Sequence, residues 1–351
     1  MLYSKKSYSM PIAKKDKEVK QAEEKPWLIK SDEETDESYG KNPAQRSIDE
    51  LIKSSVVIVD KHSGPTSHQV TKWVADIFGV DKAGHAGTLD PNVTGVLPVA
   101  LGDATKAMSV MLGLDKEYVG VMRLHSEVDE IALKTTIGDF IGRIKQTPPV
   151  KSAVARKERE REIYFFDVLE LESRDVLFRV GCQAGTYIRK LCHDIGQSLG
   201  IGAHMTELRR TKAGNFTEQQ SHSLVDVKDV YEFWKENGDE LRLRKILIPV
   251  EFAILHVKRI FLKDSAVDAV CHGAPVYAAG VTRIQPNIVR GETVAVYTLK
   301  EELVALGIAK MTSEEMFEAK RGTSVRTDLV FMQKGVYPNA RMSAEKRKQK
   351  T

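Results

Sequence analysis

The chain has 351 residues, 42% of them hydrophobic, and a formal net charge of +4, which allows two or three domains with sizeable cores. It holds no run of about 18 apolar residues, and its start, MLYSKKSYSMPIAKKDKE, lacks the apolar centre of a secretory signal. Its cysteines, Cys182, Cys192 and Cys271, form no Cys-x-x-Cys; a membrane span, a disulfide framework and a cysteine zinc site are thus excluded, and a cytoplasmic protein with reduced thiols is expected.

Residues 1 to about 45 are rich in Lys, Glu, Ser and Asp, include the acidic run DEETDE (32–37), and show no apolar periodicity. They read as a tail, disordered or packed on another part of the chain. SSVVIVDK (54–61) is a β-branched run ended by charge and Gly64-Pro65, a buried strand entering a turn. SHQVTKWVADIFGV (67–80) follows with helical spacing at Val70, Trp73, Val74 and Ile77, and Ser67 as the expected N-cap. EYVGVMRLH (117–125), EIYFFDVLELES (162–173) and DVLFRVGCQA (175–184) read as strands, the last two as a hairpin about Ser173-Arg174. TYIRKLCHDIGQSLG (186–200) is a helix stopped by Gly200. This mixed order favours an α+β domain with a largely antiparallel sheet and flanking helices over about 46–252. From about 253 to 338, strand-like pieces with Gly-containing turns predict a small, mostly β, barrel-like module. RMSAEKRKQK within 339–351 is a basic tail.

GHAGTLDPNVTGVLPVALG (84–102) gathers glycines around one Asp-Pro step. Neither G-x-x-x-x-G-K-[ST] nor G-x-G-x-x-G can be laid on it, so nucleotide binding is not indicated. A plain turn is the simplest local reading. Near-balanced charge does not by itself indicate a nucleic-acid partner, so local clusters carry that argument. KSAVARKERER (151–161) holds Arg156 and Lys157, and ELRRTK holds Arg209, Arg210 and Lys212, cations suited to neutralising phosphates. Three glutamates by residue 162 make a salt-bridged surface hairpin the alternative for the first cluster.

The stretch GHAGTLDPNVTGVLPVALGDATK resembles the active-site motif of the TruB/dyskerin family of pseudouridine synthases. VDKHSGPTSHQV, KEYVGVMRLH, TPPVKSAVARKEREREIY, QAGTYIRKLCHDIG and GAHMTELRRTKAGNF resemble successive motifs of that family, over about residues 50–335. KDSAVDAVCHGA and ELVALGIAKMTSEEM are similar to the PUA domain of its archaeal, dyskerin-like branch, whose members are catalytic subunits of H/ACA guide-RNA ribonucleoproteins. The resemblance implies the pseudouridine synthase fold followed by a PUA domain, on which the N-terminal tail would pack.

It also implies a cast. Asp90 would be the essential carboxylate, acting either on the anomeric carbon or by removing a ribose proton; the sequence does not choose. Gly84, Gly87 and Gly95 would clear the approach to the ribose. Arg189 would pair with Asp90, Tyr118 would stack on the uracil and Tyr187 would move the proton at the new carbon bond. His85 would fill the place of the flipped base, with Leu208 also on the substrate side. Lys61, Arg156, Lys157, Arg209, Arg210 and Lys212 would contact RNA, the 151–161 segment being the family's mobile thumb loop. The implied partners are guide and substrate RNA, a small zinc-ribbon-type protein, a β-barrel protein and a kink-turn-binding ribosomal-type protein, with no membrane, metal or cofactor. Two departures from the family pattern stand out: Lys61 is followed by His62 and Ser63 where the family has proline in a Lys-Pro-x-Gly turn, and Ala155 replaces a thumb-loop lysine. A stand-alone tRNA pseudouridine-55 synthase of the same family and a non-catalytic RNA-binding scaffold are the competing readings.

Overall fold

The computed structural model describes residues 26–147 and 157–339. The run SVVIV lies in β1 (Ser55–Lys61) and is buried on both faces. Val57 and Val59 enter a core shared with Val70, Val74 and Phe78 of α1 (Ser67–Phe78). Val56 and Ile58 belong to a second cluster with Ile254, Phe261, Tyr297 and Leu306 from the C-terminal part of the chain. Cover on both sides is why this strand is a continuous apolar run and not an alternating one.

β1 is joined by β2 (Ala83–His85), β3 (Thr94–Leu101), β4 (Lys116–Leu124), β5 (Gly142–Gln146), β6 (Arg159–Glu172), β7 (Asp175–Cys182) and β8 (Ala203–Ala213). Together with Ile248–Pro249 and Phe216–Thr217 they form a ten-stranded sheet, ordered Ile248–Pro249, β1, β3, β8, β4, β7, β6, β5, with β2 on β3 and Phe216–Thr217 on β8. Only the β3–β8 pairing is parallel among the described strands of this sheet. The largely antiparallel α+β arrangement expected from the sequence is therefore observed. β6 and β7 make the expected hairpin, with Ser173 at a positive φ of 55°.

Helix α2 (Ile188–Ser198) and helix α3 (Leu224–Asn237) supply Leu191, Ile195 and Val227 to the same core as α1. α1 is capped by Thr66 and not by Ser67: Thr66 accepts the Gln69 N–H while the Gln69 side chain accepts the Thr66 N–H. Ser67 is fully buried and committed elsewhere.

The C-terminal sheet contains β9 (Lys258–Leu262), β10 (Val281–Ile284), β11 (Thr293–Thr298), β12 (Leu303–Ala309) and β13 (Thr323–Val330). Its order is Leu28–Ile29, β10, β9, β11, β12, β13, Val276–Tyr277. Part of the segment read as a tail is thus an edge strand of this sheet, Leu28 opposite Ile284. Lys30 fixes that edge by donating to the carbonyls of Ala278, Met316 and Ala319 at 2.8, 2.7 and 2.5 Å. The module is less purely β than its sequence suggests, since Asp264–Cys271 is a helix burying Val267, Val270 and Cys271.

Candidate active site

Residues 86–93 connect β2 to β3 and carry Asp90. Leu89 and Val93 anchor the loop in the core, at 3% and 4% exposure. Three buried side chains hold its main chain. Lys61 Nζ donates to the carbonyls of His62, Pro91 and Val93 at 3.0, 2.8 and 2.8 Å. Ser67 Oγ donates to the Leu89 carbonyl at 2.9 Å and accepts from the Leu89 N–H at 2.8 Å. Arg210 Nη2 donates to the Gly87 carbonyl at 2.9 Å, and its Nε to the Val96 carbonyl at 2.7 Å. With the loop pinned from beneath, the Asp90 side chain stays 59% exposed and meets Arg189 Nη2 at 2.7 Å.

Gly87 in the loop and Gly95 at the start of β3 have roles that the structure makes explicit. Gly87, at φ 100°, turns beside Arg210, whose Nη1 would lie 3.3 Å from a Cβ there. At Gly95, φ 102°, a Cβ would fall 2.2 Å from the Arg210 carbonyl. Its space is filled by β8, not kept open for a ribose, which corrects the expectation for Gly95; at Gly84 an added Cβ would make only ordinary contacts with Met108.

Arg189 belongs to the first turn of α2, and Tyr187 is the N-cap of that helix. Tyr118, on β4, is 9% exposed and close enough to Asp90 to feel its charge; burial pushes its hydroxyl above the usual range, while the adjacent Arg210 guanidinium works the other way. Leu208, on β8, is half-buried opposite Gly120 of β4. His85 Nδ1 lies 3.0 Å from Thr71 Oγ1 and its Nε2 3.1 Å from Thr88 Oγ1. Burial, then His68 and Arg210, pushes its pKa down to about 4. A neutral ring with both nitrogens engaged is suited to packing against a base rather than to carrying protons.

Lys61, Lys116 and Arg210 form a cationic floor. Burial lowers the Lys61 pKa, opposed by the Asp90 charge, and burial followed by Arg210 brings Lys116 down to about 8. Lys116 donates to the Leu112 carbonyl at 2.9 Å and to that of Leu114.

This geometry corrects the expected phosphate contacts. Lys61 and Arg210 are 0% and 1% exposed, so they support the loop and cannot reach a phosphate. Arg209 is committed to Asp60, by two bonds of 2.9 Å, and to Glu218. Lys157 and Lys212 are exposed, whereas Arg156 and Ala155 lie outside the described residues. Sequence reasoning missed Ser67 and Lys116. Lys116 carried a signal: positions 116, 118, 120, 122 and 124 alternate as the buried face of β4, and Lys116 heads that row.

Family models place these residues. The model for the TruB family pseudouridylate synthase N-terminal domain matches residues 75–137 and 125–188, that for the tRNA pseudouridylate synthase B C-terminal domain 189–255, the PUA domain 258–331, and the DKCLD (NUC011) domain 18–71. A probable tRNA pseudouridine synthase B of Methanopyrus kandleri is 52% identical over 93% of this chain and 96% of its own. The chain belongs to the TruB family of pseudouridylate synthases. A similarly named protein of Methanocaldococcus jannaschii is 50% identical over 94% of this chain and 98% of its own.

Solved structures similar to this TruB-family chain include one from an H/ACA ribonucleoprotein bound to a substrate RNA containing 2′-deoxyuridine, at 47% identity and TM-score 0.84, covering 90% of this chain and 97% of that one. Another, from a Cbf5–Nop10–Gar1 complex, has 49% identity and TM-score 0.84 and covers 89% of this chain and 96% of that one. As a TruB-family enzyme it is an isomerase that converts uridine to pseudouridine in RNA. Among the described residues no group of three or more His, Cys, Asp or Glu is placed to hold a metal, and no helix is long and apolar enough to cross a membrane.

Proposed function

We propose that the chain is the catalytic subunit of a box H/ACA ribonucleoprotein, acting in the cytoplasm on ribosomal RNA uridines selected by a guide RNA. The observation that carries this reading is the likeness to chains from H/ACA assemblies, which covers 89–90% of this chain and 96–97% of theirs at a TM-score of 0.84. Proteins corresponding to the Nop10 and Gar1 of the solved complex are its proposed partners. A kink-turn-binding protein is proposed from the family resemblance.

The geometry supports the following chemistry. The reaction breaks the ribose bond to uracil nitrogen and makes one to uracil carbon, transferring that carbon's hydrogen to the nitrogen as a proton; atoms and electrons balance without a redox partner. The target uridine leaves the stack at a cost of a few kcal/mol. His85, neutral and held by two threonines, is the proposed filler of the gap. Asp90 would act on the ribose as a carboxylate oriented by Arg189. Tyr118 would form the apolar wall against the base, and Tyr187 would handle the proton at the new carbon bond.

A stand-alone tRNA pseudouridine synthase is the second reading, favoured by the names of the curated relatives. Tritium release from RNA labelled at uracil C5 separates them. The guided form releases label from a ribosomal target only when matching guide RNA is present, whereas release from tRNA without guide supports the stand-alone form. Absence of release under both conditions supports a scaffold.

A further inference from the structure

We infer that Gln146 is a positioning residue for the isomerase site, its buried carboxamide clamping the main chain of Tyr187 and so setting the turn that presents Tyr187 and Arg189. The inference rests on the reading of those two residues as catalytic.

Gln146 is the last residue of β5 and the only fully buried position of that strand, at 2% exposure. A buried amide is costly unless both of its ends are bonded. Here Oε1 accepts from the Tyr187 N–H at 3.0 Å, and Nε2 donates to the Tyr187 carbonyl at 3.2 Å. The Tyr187 N–H is a donor, which fixes the orientation of the amide. Gln146 thus meets one residue's backbone as a neighbouring strand would, across 41 residues of sequence.

The clamp falls where the helix lacks its usual start. Ser, Thr, Asp or Asn at an N-cap accepts a first-turn N–H, but the N-cap of α2 is Tyr187 and makes no such bond. The preceding turn is tied to β6 by the Gln183 N–H donating to the Glu162 carbonyl at 2.8 Å, and is closed by Thr186 Oγ1 donating to the Gln183 carbonyl at 2.7 Å. Gln146 adds the contact at the residue where the turn becomes helix. Rotation of the Tyr187 peptide would swing both the Tyr187 ring and the start of α2, and with it the 2.7 Å Arg189–Asp90 pair. Displacements of about 1 Å in a catalytic constellation cost on the order of a hundredfold in rate.

The test uses the full chain in its RNA-bound assembly, with Gln146→Met, which keeps length and volume, and Gln146→Glu, which keeps the acceptor but loses the donor. Single-turnover tritium release at saturating RNA should fall about tenfold to a hundredfold in Gln146→Met, and at least as far in Gln146→Glu, whose second carboxylate oxygen is set against the Tyr187 carbonyl. RNA affinity should stay within about threefold, and amide exchange of residues 183–190 should quicken. In a Tyr187→Phe background the penalty of Gln146→Met should shrink, because part of what it positions is already gone. Rates within twofold of wild type, or an undiminished penalty in the Tyr187→Phe background, overturn the inference while leaving the functional reading intact. Inactivity of the wild-type assembly overturns that reading instead, and amide exchange then decides whether the clamp exists.

Discussion

Lys61 and Arg210 show what a cation does when its partners are carbonyls. Each is buried, each bonds to main-chain oxygens of the loop or the strand after it, and neither has a path to a phosphate. A cationic letter in the sequence does not say which side of the surface it occupies, and so the expectation of RNA contact failed at both. Asp90 and Arg189 were legible because the motif names them, and the structure pairs them. Lys61→Met should lower stability by about 1–3 kcal/mol, since the His62 and Val93 carbonyls lose their side-chain donor and Pro91 keeps only the Gly64 N–H. It should also slow turnover by loosening the loop. RNA binding measured at two salt concentrations checks this: the salt slope stays at the wild-type value, whereas a lost phosphate contact would reduce it by about 1.

His85 carries the pH prediction at the same scale. Its folded pKa, about 4, lies below the ordinary 6.5, so between those values the unfolded chain binds the extra proton. Its contribution is fully present above 6.5 and is lost as pH falls toward 4. Thermal midpoints from pH 7 to pH 4 should therefore fall less steeply in His85→Asn than in wild type. The pH–rate profiles of the two between pH 6 and 8 should have the same shape, because the ring is already neutral there.

Among the elements, the parallel contact of β3 with β8 brings the Asp90 loop and Arg210 together, and Gly95 is what lets the strands meet. Gly95→Ala combines a positive φ with a Cβ 2.2 Å from a main-chain oxygen, and urea unfolding should show a loss of more than about 3 kcal/mol. Local periodicity revealed β1, β4, the β6–β7 hairpin, α1 and α2, whose signals lie within each segment. It did not reveal β8 as a strand, because AHMTELRRTKA alternates poorly: it is flanked by β3 and β4, and several of its side chains remain half exposed. Gln146 was missed for a related reason, since its partner is 41 residues away and the bond is to backbone, which leaves no mark in composition.

Across the whole molecule the two sheets share a core, in which Val56, Met111, Val250 and Ile254 meet Phe261, Tyr297, Leu306 and Phe331. The N-terminal segment closes the same junction. Arg46 forms a bidentate pair with Glu251 at 2.8 and 3.1 Å, and Glu251 Oε1 also accepts from the Leu303 N–H at 3.1 Å. Glu251→Ala leaves a half-buried guanidinium and a buried N–H without their acceptor, and should cost about 2–4 kcal/mol in denaturant unfolding. The composition change near residue 250 is visible in the sequence, but the shared core is not, because each partner strand reads as an ordinary apolar run. The presence of two sheets was legible; the apolar interface that joins them was not.

Turnover is proposed to depend on one carboxylate, Asp90, exposed on a loop pinned from beneath and paired with Arg189. The most direct measurement is tritium release from C5-labelled target uridine by wild type and Asp90→Asn, with RNA binding of both measured in parallel. Asn fills the same space without the charge proposed to act at the ribose, so release should fall below about one thousandth of the wild-type rate while RNA affinity is retained. An Asp90→Asn protein that binds RNA normally and still releases label at a tenth of the wild-type rate or more would contradict the account.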